Sequence, residues 1–203
     1  MAYEKYTTDA LILDSLERGE ADKVLVLYTR DFGLLYARVS GVRRGASRLR
    51  PALQSYARAH VSLVRGKIGW RIVGAQSVAV PPKDSVEGAA VFSRIAKLLR
   101  RLVHGEESMP HLFDTIAHAH AHFLRGGGNT GAIELVCVAR VLHVLGYLPA
   151  PRELARQAGL PAESLGSALF VSTTYEYTDI ENARVQERVL LAAINEAISE
   201  SQL

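Results

Sequence analysis

Short apolar runs alternate with polar turns along residues 6–78, and several runs show the period of two that is typical of half-buried β-strands. In the run 54–65, apolar residues occupy the odd positions from Ala57 to Leu63, and Arg58 and His60 fall between them. The run 24–29 (VLVLYT) is apolar throughout, which indicates a strand buried on both faces. The pattern predicts five strands, at residues 6–16, 24–29, 34–42, 54–65 and 70–78.

No helix longer than a turn is expected in this region. A sheet of five short strands leaves exposed edges unless it closes on itself. We therefore predict a closed antiparallel barrel, and the five-stranded oligonucleotide-binding (OB-fold) barrel is the commonest solution at this size.

After residue 83 the apolar period changes to that of helices. Caps, glycines and prolines predict helices at residues 84–104, 111–125, 129–145, 151–159 and 180–199, with a strand or hairpin at 168–178. The helix 129–145 is apolar nearly all round and is expected at the centre of a bundle. The predicted fold is thus α+β, with an OB-fold barrel at residues 1–80, a proline hinge at 80–83 and a helical, partner-binding domain at 84–203.

Charge divides the chain at the same place. Residues 1–83 hold 14 Lys and Arg against 7 Asp and Glu, whereas residues 84–203 hold 10 against 14. The stretch 32–83 contains no acidic residue and ten basic ones. A folded surface of positive charge attracts polyanions. Solvated surfaces usually mix both signs, so an acid-free stretch favours this interpretation. The alternative is a solvated β face without a ligand.

Single-stranded nucleic acid needs cations for its phosphates and flat rings for its bases. Residues 41–51 (GVRRGASRLRP) are expected to form a flexible basic loop between strands. The candidate nucleic-acid-binding residues are Lys23, Arg38, Arg43, Arg44, Arg48, Arg50, Arg58, Arg71, Tyr36 and Tyr56. Tyr28 and Trp70 are further stacking candidates, with a place in the barrel core as the alternative for each.

Other chemistry has weaker support. His111, Asp114, His118 and His122 share one face of a predicted helix and suggest a metal site, although a plain polar face explains the spacing better. We find no phosphate-cradling glycine motif and no nucleophile turn, so neither a cofactor nor an enzyme is expected. The one cysteine, Cys137, excludes an internal disulfide and fits a reducing cytosol. No signal peptide or membrane helix is expected.

Four segments resemble the bacterial DNA repair protein RecO family: YTTDALIL (6–13), GEADKVLVLYTRDFG (19–33), GVRRGASRLRPALQ (41–54) and ELVCVARVLHVLGYLP (134–149). The resemblance implies an N-terminal OB-fold barrel before a helical domain. It also implies binding and annealing of single-stranded DNA, contacts with RecR and with the acidic tail of the single-stranded-DNA-binding protein, and help in loading recombinase. Many relatives carry four zinc-binding cysteines after the Leu-Gly-Tyr segment, and here residues 149–169 contain none.

The sequence therefore predicts a cytoplasmic, non-enzymatic recombination mediator that binds single-stranded DNA on its barrel and protein partners mostly through its helices. The alternative is an RNA-binding OB-fold module, because the same fold serves both nucleic acids. A third class is a metal-dependent enzyme built on His111, Asp114, His118 and His122.

Overall fold

The computed structural model describes residues 4–45, 47–81, 86–126, 129–166 and 169–200. The chain divides into two compact units, Met1–Phe113 and Asp114–Leu203. The predicted hinge at 80–83 and the start of the first predicted helix fall partly on residues 82–85, which lie outside the described residues.

Five strands build the first unit: β1 (Lys5–Arg18), β2 (Asp22–Thr29), β3 (Gly33–Val39), β4 (Arg58–Gly66) and β5 (Gly69–Ala79). They close into a barrel in the order β1-β2-β3-β5-β4, with β4 paired back to β1. All neighbours are antiparallel except β3 and β5, which run parallel for a short stretch. This arrangement confirms the predicted OB-fold barrel.

The barrel core follows from the alternation of side chains along each strand. Leu25 and Leu27 of β2 point inward beside Leu35, Ala37 and Val39 of β3, and all five are buried. The residues between them on β3 are exposed. Tyr36 and Arg38 therefore present their side chains on the outer face of the barrel.

The basic segment 41–57, described except for residue 46, contains a series of hydrogen-bonded turns. Backbone amides at 44, 47, 50, 53 and 57 each donate to a carbonyl three or four residues earlier. Val42, Ala52 and Leu53 are buried in the barrel core. These apolar anchors hold the segment across one end of the barrel.

Helix α1 (Val86–Leu102) belongs to the same unit as the barrel. Its Phe92 ring packs edge-on against Tyr56, with centroids 5.8 Å apart, and its Arg100 pairs with Asp14 of β1. The chain after α1 returns to the barrel, where the Leu34 amide donates to the Gly105 carbonyl at 3.2 Å. Helix α1 therefore completes the barrel unit.

Helix α2 (Pro110–Arg125) crosses the division between the units. The second unit continues with α3 (Thr130–Val144), α4 (Pro151–Gln157), α5 (Tyr177–Val185) and α6 (Glu187–Glu200). Helix α3 is buried along most of its length, as its apolar sequence predicts. No helix within the described ranges combines the length and the apolar character needed to cross a bilayer.

The strand or hairpin predicted for 168–178 is wrong: residues 169–176 form turns, and α5 begins at Tyr177. The reason is Arg140, a fully buried arginine of α3. Its guanidinium donates to the carbonyls of Leu169 (2.6 Å) and Thr174 (2.5 Å), which a strand would instead use in its ladder. A buried charge that must be satisfied thus overrides the local preference for a strand.

Candidate nucleic-acid interface

A groove of about 690 Å³ runs over the outer face of the barrel. Its walls come from the end of β1, from β2 and β3, and from the β4–β5 hairpin: Arg18, Val24, Tyr36, Arg38, Ser40, Val64 and residues 66–71. In OB-fold barrels the face of strands 2 and 3 and the loop between strands 4 and 5 bind oligonucleotides. The groove occupies that surface.

Tyr36, Arg38 and Arg71 are brought together by strand register. Tyr36 and Arg38 are two residues apart on β3 and point to the same side, and Arg38 lies directly beside Arg71 of β5. The Tyr36 side chain is 55% exposed, and Arg71 is also exposed. The groove therefore presents an accessible aromatic ring beside positive charges, as a single strand requires.

Arg38 is already engaged by a carboxylate. Its Nη2 lies 2.5 Å from Oδ2 of Asp22, whose other oxygen accepts a hydrogen bond from the Gly41 amide at 2.9 Å. These hydrogen bonds, that of Arg38 foremost, lower the pKa of Asp22. Asp22 thus stays ionised and fixes the position of Arg38 at the groove.

The β4–β5 hairpin adds a residue that sequence reasoning missed. Gly66 pairs with Gly69, so Lys67 and Ile68 form the turn, and Ile68 is 100% exposed. A β-branched apolar residue is unusual at a tight turn, where Gly, Asn and Asp dominate. An apolar β-branched residue in a predicted turn was therefore the sequence feature that could have identified Ile68. Its side chain provides an apolar contact at the rim of the cationic groove.

A second, smaller pocket of about 330 Å³ lies at the end of the barrel beneath the basic segment. Lys23, Arg43 and Arg50 contribute its positive charges, and Val42 and Leu53 contribute apolar wall. Arg43 is held in place, because its guanidinium donates to the Gly19 carbonyl at 2.9 Å and lies 3.3 Å from Glu17.

The other predicted arginines differ in their surroundings. Arg44 and Arg48 are exposed on the basic segment, and no ion pair involves them within the described part of the chain. Arg58 instead bonds to Asp9 at 2.8 Å and lies over the ring of Phe113. It lines neither the groove nor the end pocket.

The remaining aromatic candidates pack against other residues of the first unit. Tyr56 packs on α1, as described above. Tyr28 is fully buried, and its burial raises the pKa of its hydroxyl. Trp70 lines the groove but is only 6% exposed, and its indole N–H donates to Glu106 at 3.0 Å. Both Tyr28 and Trp70 are therefore core residues, and Tyr36 is the accessible ring.

Two histidines on the predicted metal-binding face of α2 contact the segment before α5. His118 Nδ1 lies 3.0 Å from the Thr173 carbonyl, and the His122 ring packs edge-on against Tyr175. Burial, followed by the nearby Arg125 and His118, lowers the pKa of His122. Among the residues that the structure describes, no group of three or more His, Cys, Asp or Glu is placed to hold a metal ion.

The comparisons with known proteins all point to one protein family. Residues 1–72 match the family described as "Recombination protein O N terminal". Proteins named "DNA repair protein RecO" are similar along more of the chain. The one from Pelotomaculum thermopropionicum is 29% identical over 83% of this chain and 64% of its own length. The one from Dehalococcoides mccartyi is 29% identical, over 74% of this chain and 60% of its own length.

The RecO protein from Myxococcus xanthus is 33% identical over a shorter region, 54% of this chain and 46% of its own length. The chain thus spans less than two thirds of the length of these relatives. The family match at residues 1–72 includes β1 to β4, the start of β5 and every residue that lines the groove or the end pocket.

Proposed function

Because this chain belongs to the RecO family, we propose that it acts in DNA repair by binding single-stranded DNA in the groove of its barrel. The observation that carries the proposal is the position of Tyr36 beside the positive charges of the groove. The ring is half exposed, and Arg38 and Arg71 lie side by side on adjacent strands.

Two kinds of side chain in the groove make different contacts with a bound strand. Arginine and lysine side chains neutralise phosphates and release counterions, which gives affinity without sequence preference. An exposed aromatic ring stacks on a base and favours single strands, whose bases are accessible, over duplex. Lys67 and Arg18 at the rim extend the positive surface along the groove.

The wider role we propose is that of a recombination mediator. It would anneal single strands, help to load recombinase with RecR, and contact the acidic tail of the single-stranded-DNA-binding protein. We place these activities in the cytoplasm and assign protein contacts mainly to residues 84–203, whose net charge of −4 makes them a poor surface for DNA.

The experiment is a salt series of fluorescence anisotropy with labelled single-stranded DNA, single-stranded RNA and duplex DNA. The double variant Arg38→Ala/Arg71→Ala should bind DNA more weakly and lower the log–log salt slope by roughly 1.4, about 0.7 for each lost phosphate contact. Tyr36→Ala should weaken binding without changing the slope, because a ring neutralises no phosphate.

The matched control is Arg188→Ala, which removes an exposed arginine from α6 in the second unit. It should leave both the affinity and the slope unchanged. Equal effects of the groove variant and the control would refute the groove as the binding site. Clearly tighter binding to RNA than to DNA would instead favour the RNA-binding alternative.

A further inference from the structure

The groove and the end pocket lie on opposite faces of one β-hairpin. In the β1–β2 pair, Glu17 stands opposite Lys23, and both side chains line the end pocket. The neighbouring positions Arg18 and Val24 line the groove. Successive side chains of a strand point to opposite faces, so the hairpin separates the two cavities. They share no lining residue.

Each cavity contains one arginine that is paired with a carboxylate. In the groove Asp22 holds Arg38, and in the end pocket Glu17 holds Arg43, with an N–O distance of 3.3 Å. In each case further basic residues remain beside the pair: Arg71 in the groove, and Lys23 and Arg50 in the pocket. Both cavities are therefore net positive, and each keeps one cation fixed in position.

The end pocket also has the form of a binding site. It is walled on one side by the inward face of the β1–β2 hairpin and on the other by the basic segment, whose buried Val42 and Leu53 anchor it to the core. Its volume of about 330 Å³ is at the small end of the range for ligand pockets. Its basic side chains can bind a phosphate, and the polar Gln54 and Ser55 can donate to a phosphate or sugar oxygen.

We propose that the end pocket is a second site for nucleic-acid phosphates, independent of the groove, so that one chain can hold two single strands on opposite faces of the β1–β2 hairpin. The inference rests on the proposed function of the groove. It adds the physical means by which one small barrel could bring two strands together, because neither strand would need to displace the other.

The test uses the full chain and two non-complementary DNA oligonucleotides, one with a donor dye and one with an acceptor dye. Each is about 8 nucleotides long, within the roughly 4–16 nucleotides that a single OB fold covers. The wild-type protein should bind two oligonucleotides per chain and show energy transfer between them.

The pocket variant is Lys23→Ala/Arg50→Ala, which leaves Arg43 and its hydrogen bond to Gly19 intact. It should bind one oligonucleotide with wild-type groove affinity, and its second affinity should fall at least about tenfold, as expected for two lost phosphate contacts. Lys23→Arg/Arg50→Lys should restore the second site. The control Arg152→Ala/Arg188→Ala removes two exposed arginines from the second unit and should behave as wild type.

Failure of the inference differs from failure of the proposed function. A stoichiometry of one in the wild-type protein, or a pocket variant that weakens both binding events equally, would overturn the second site while leaving the groove in place. If the groove variant Arg38→Ala/Arg71→Ala binds as well as wild type, the proposed function itself fails. Circular dichroism of each variant shows that the barrel is folded before either comparison is made.

Discussion

Asp22 and Arg38 form an ion pair at the mouth of the groove, with Oδ2 and Nη2 2.5 Å apart. The pair has two opposing effects on a bound strand. It fixes the guanidinium beside Tyr36, which lowers the entropy lost on binding, but it also places a negative charge where phosphates must approach. A phosphate that binds Arg38 competes with Asp22 for the same N–H donors.

We predict that Asp22→Asn strengthens binding of single-stranded DNA several-fold at low salt. The amide removes the negative charge, yet its oxygen still accepts the hydrogen bond from the Gly41 amide, so the turn is kept. Anisotropy titrations at low and high salt measure the effect, which should shrink as salt screens the charge. Glu181→Gln removes one negative charge from the second unit and serves as the control. Unchanged or weaker binding by Asp22→Asn would contradict the competition.

The buried pair of Arg140 and Asp179 should dominate the stability of the second unit. The two side chains are 1% and 9% exposed and lie 2.8 Å apart. Replacing Asp179 with Asn leaves a buried, uncompensated guanidinium and should cost about 3–5 kcal/mol in the free energy of unfolding. Urea unfolding followed by circular dichroism measures the loss.

The exposed pair of Arg184 and Glu181 on α5 is the matched control. Glu181→Gln should cost less than about 1 kcal/mol, because solvent screens an exposed ion pair. The apolar double variant Arg140→Met/Asp179→Leu should not recover full stability, since the carbonyls of Leu169 and Thr174 would lose their donor. Full recovery would show that only the charge pair matters and that the carbonyl contacts do not.

Cys137 should be unreactive in the native protein and can therefore report on unfolding of the second unit. The thiol is completely buried in α3, and burial raises its pKa to about 11. The thiolate that reacts with labelling reagents is thus scarce at pH 8, and reagents cannot reach it. Labelling at pH 8 should be slow in native protein and fast in urea. Rapid labelling of the native state would contradict the packing of α3.

The outward positions of β3 and β5 could be predicted from sequence because the strand period of two is a local property. Residue type and place in the acid-free stretch 32–83 predict Tyr36, Arg38 and Arg71 as candidates, and the structure brings them to one groove. Arg58 was named on the same basis. It bonds instead to Asp9, 49 residues away along the chain, through the pairing of β1 with β4. A pattern within one strand carries no information about which residue its neighbour places opposite.

The acidic partners were missed for the same reason. Glu17 lies near the end of β1 and Asp22 at the start of β2, and each pairs with an arginine 16 or more residues away. For the buried Arg140, the residue was visible in the sequence but its partners were not. Its position in an apolar helix was visible in the sequence, but the carbonyls it satisfies lie in a segment with strand-like composition. Long-range pairing of charges, and not local propensity, decides both outcomes.

Two glycines of the barrel separate the cost of backbone conformation from the cost of a steric clash. Gly19 and Gly33 have nearly the same left-handed φ, +63° and +64°. A Cβ on Gly19 meets no atom within 4 Å, whereas a Cβ on Gly33 would clash with the backbone of Glu107. An L-residue in this conformation costs roughly 1–2 kcal/mol, so both Gly19→Ala and Gly33→Ala should destabilise the barrel unit.

Gly33→Ala should be the more damaging of the two variants, because the chain after α1 must also move away. Glu107 follows Gly105, whose carbonyl accepts from the Leu34 amide, and Glu106, which accepts from the Trp70 indole, so displacement of this backbone disturbs both contacts. We expect Gly19→Ala to lose about 1 kcal/mol and Gly33→Ala clearly more. Urea midpoints of the two variants measure the difference, and fluorescence of Trp70, the one tryptophan of the chain, reports whether its surroundings change. Equal destabilisation by the two substitutions would show that the segment after α1 does not pack tightly on the barrel.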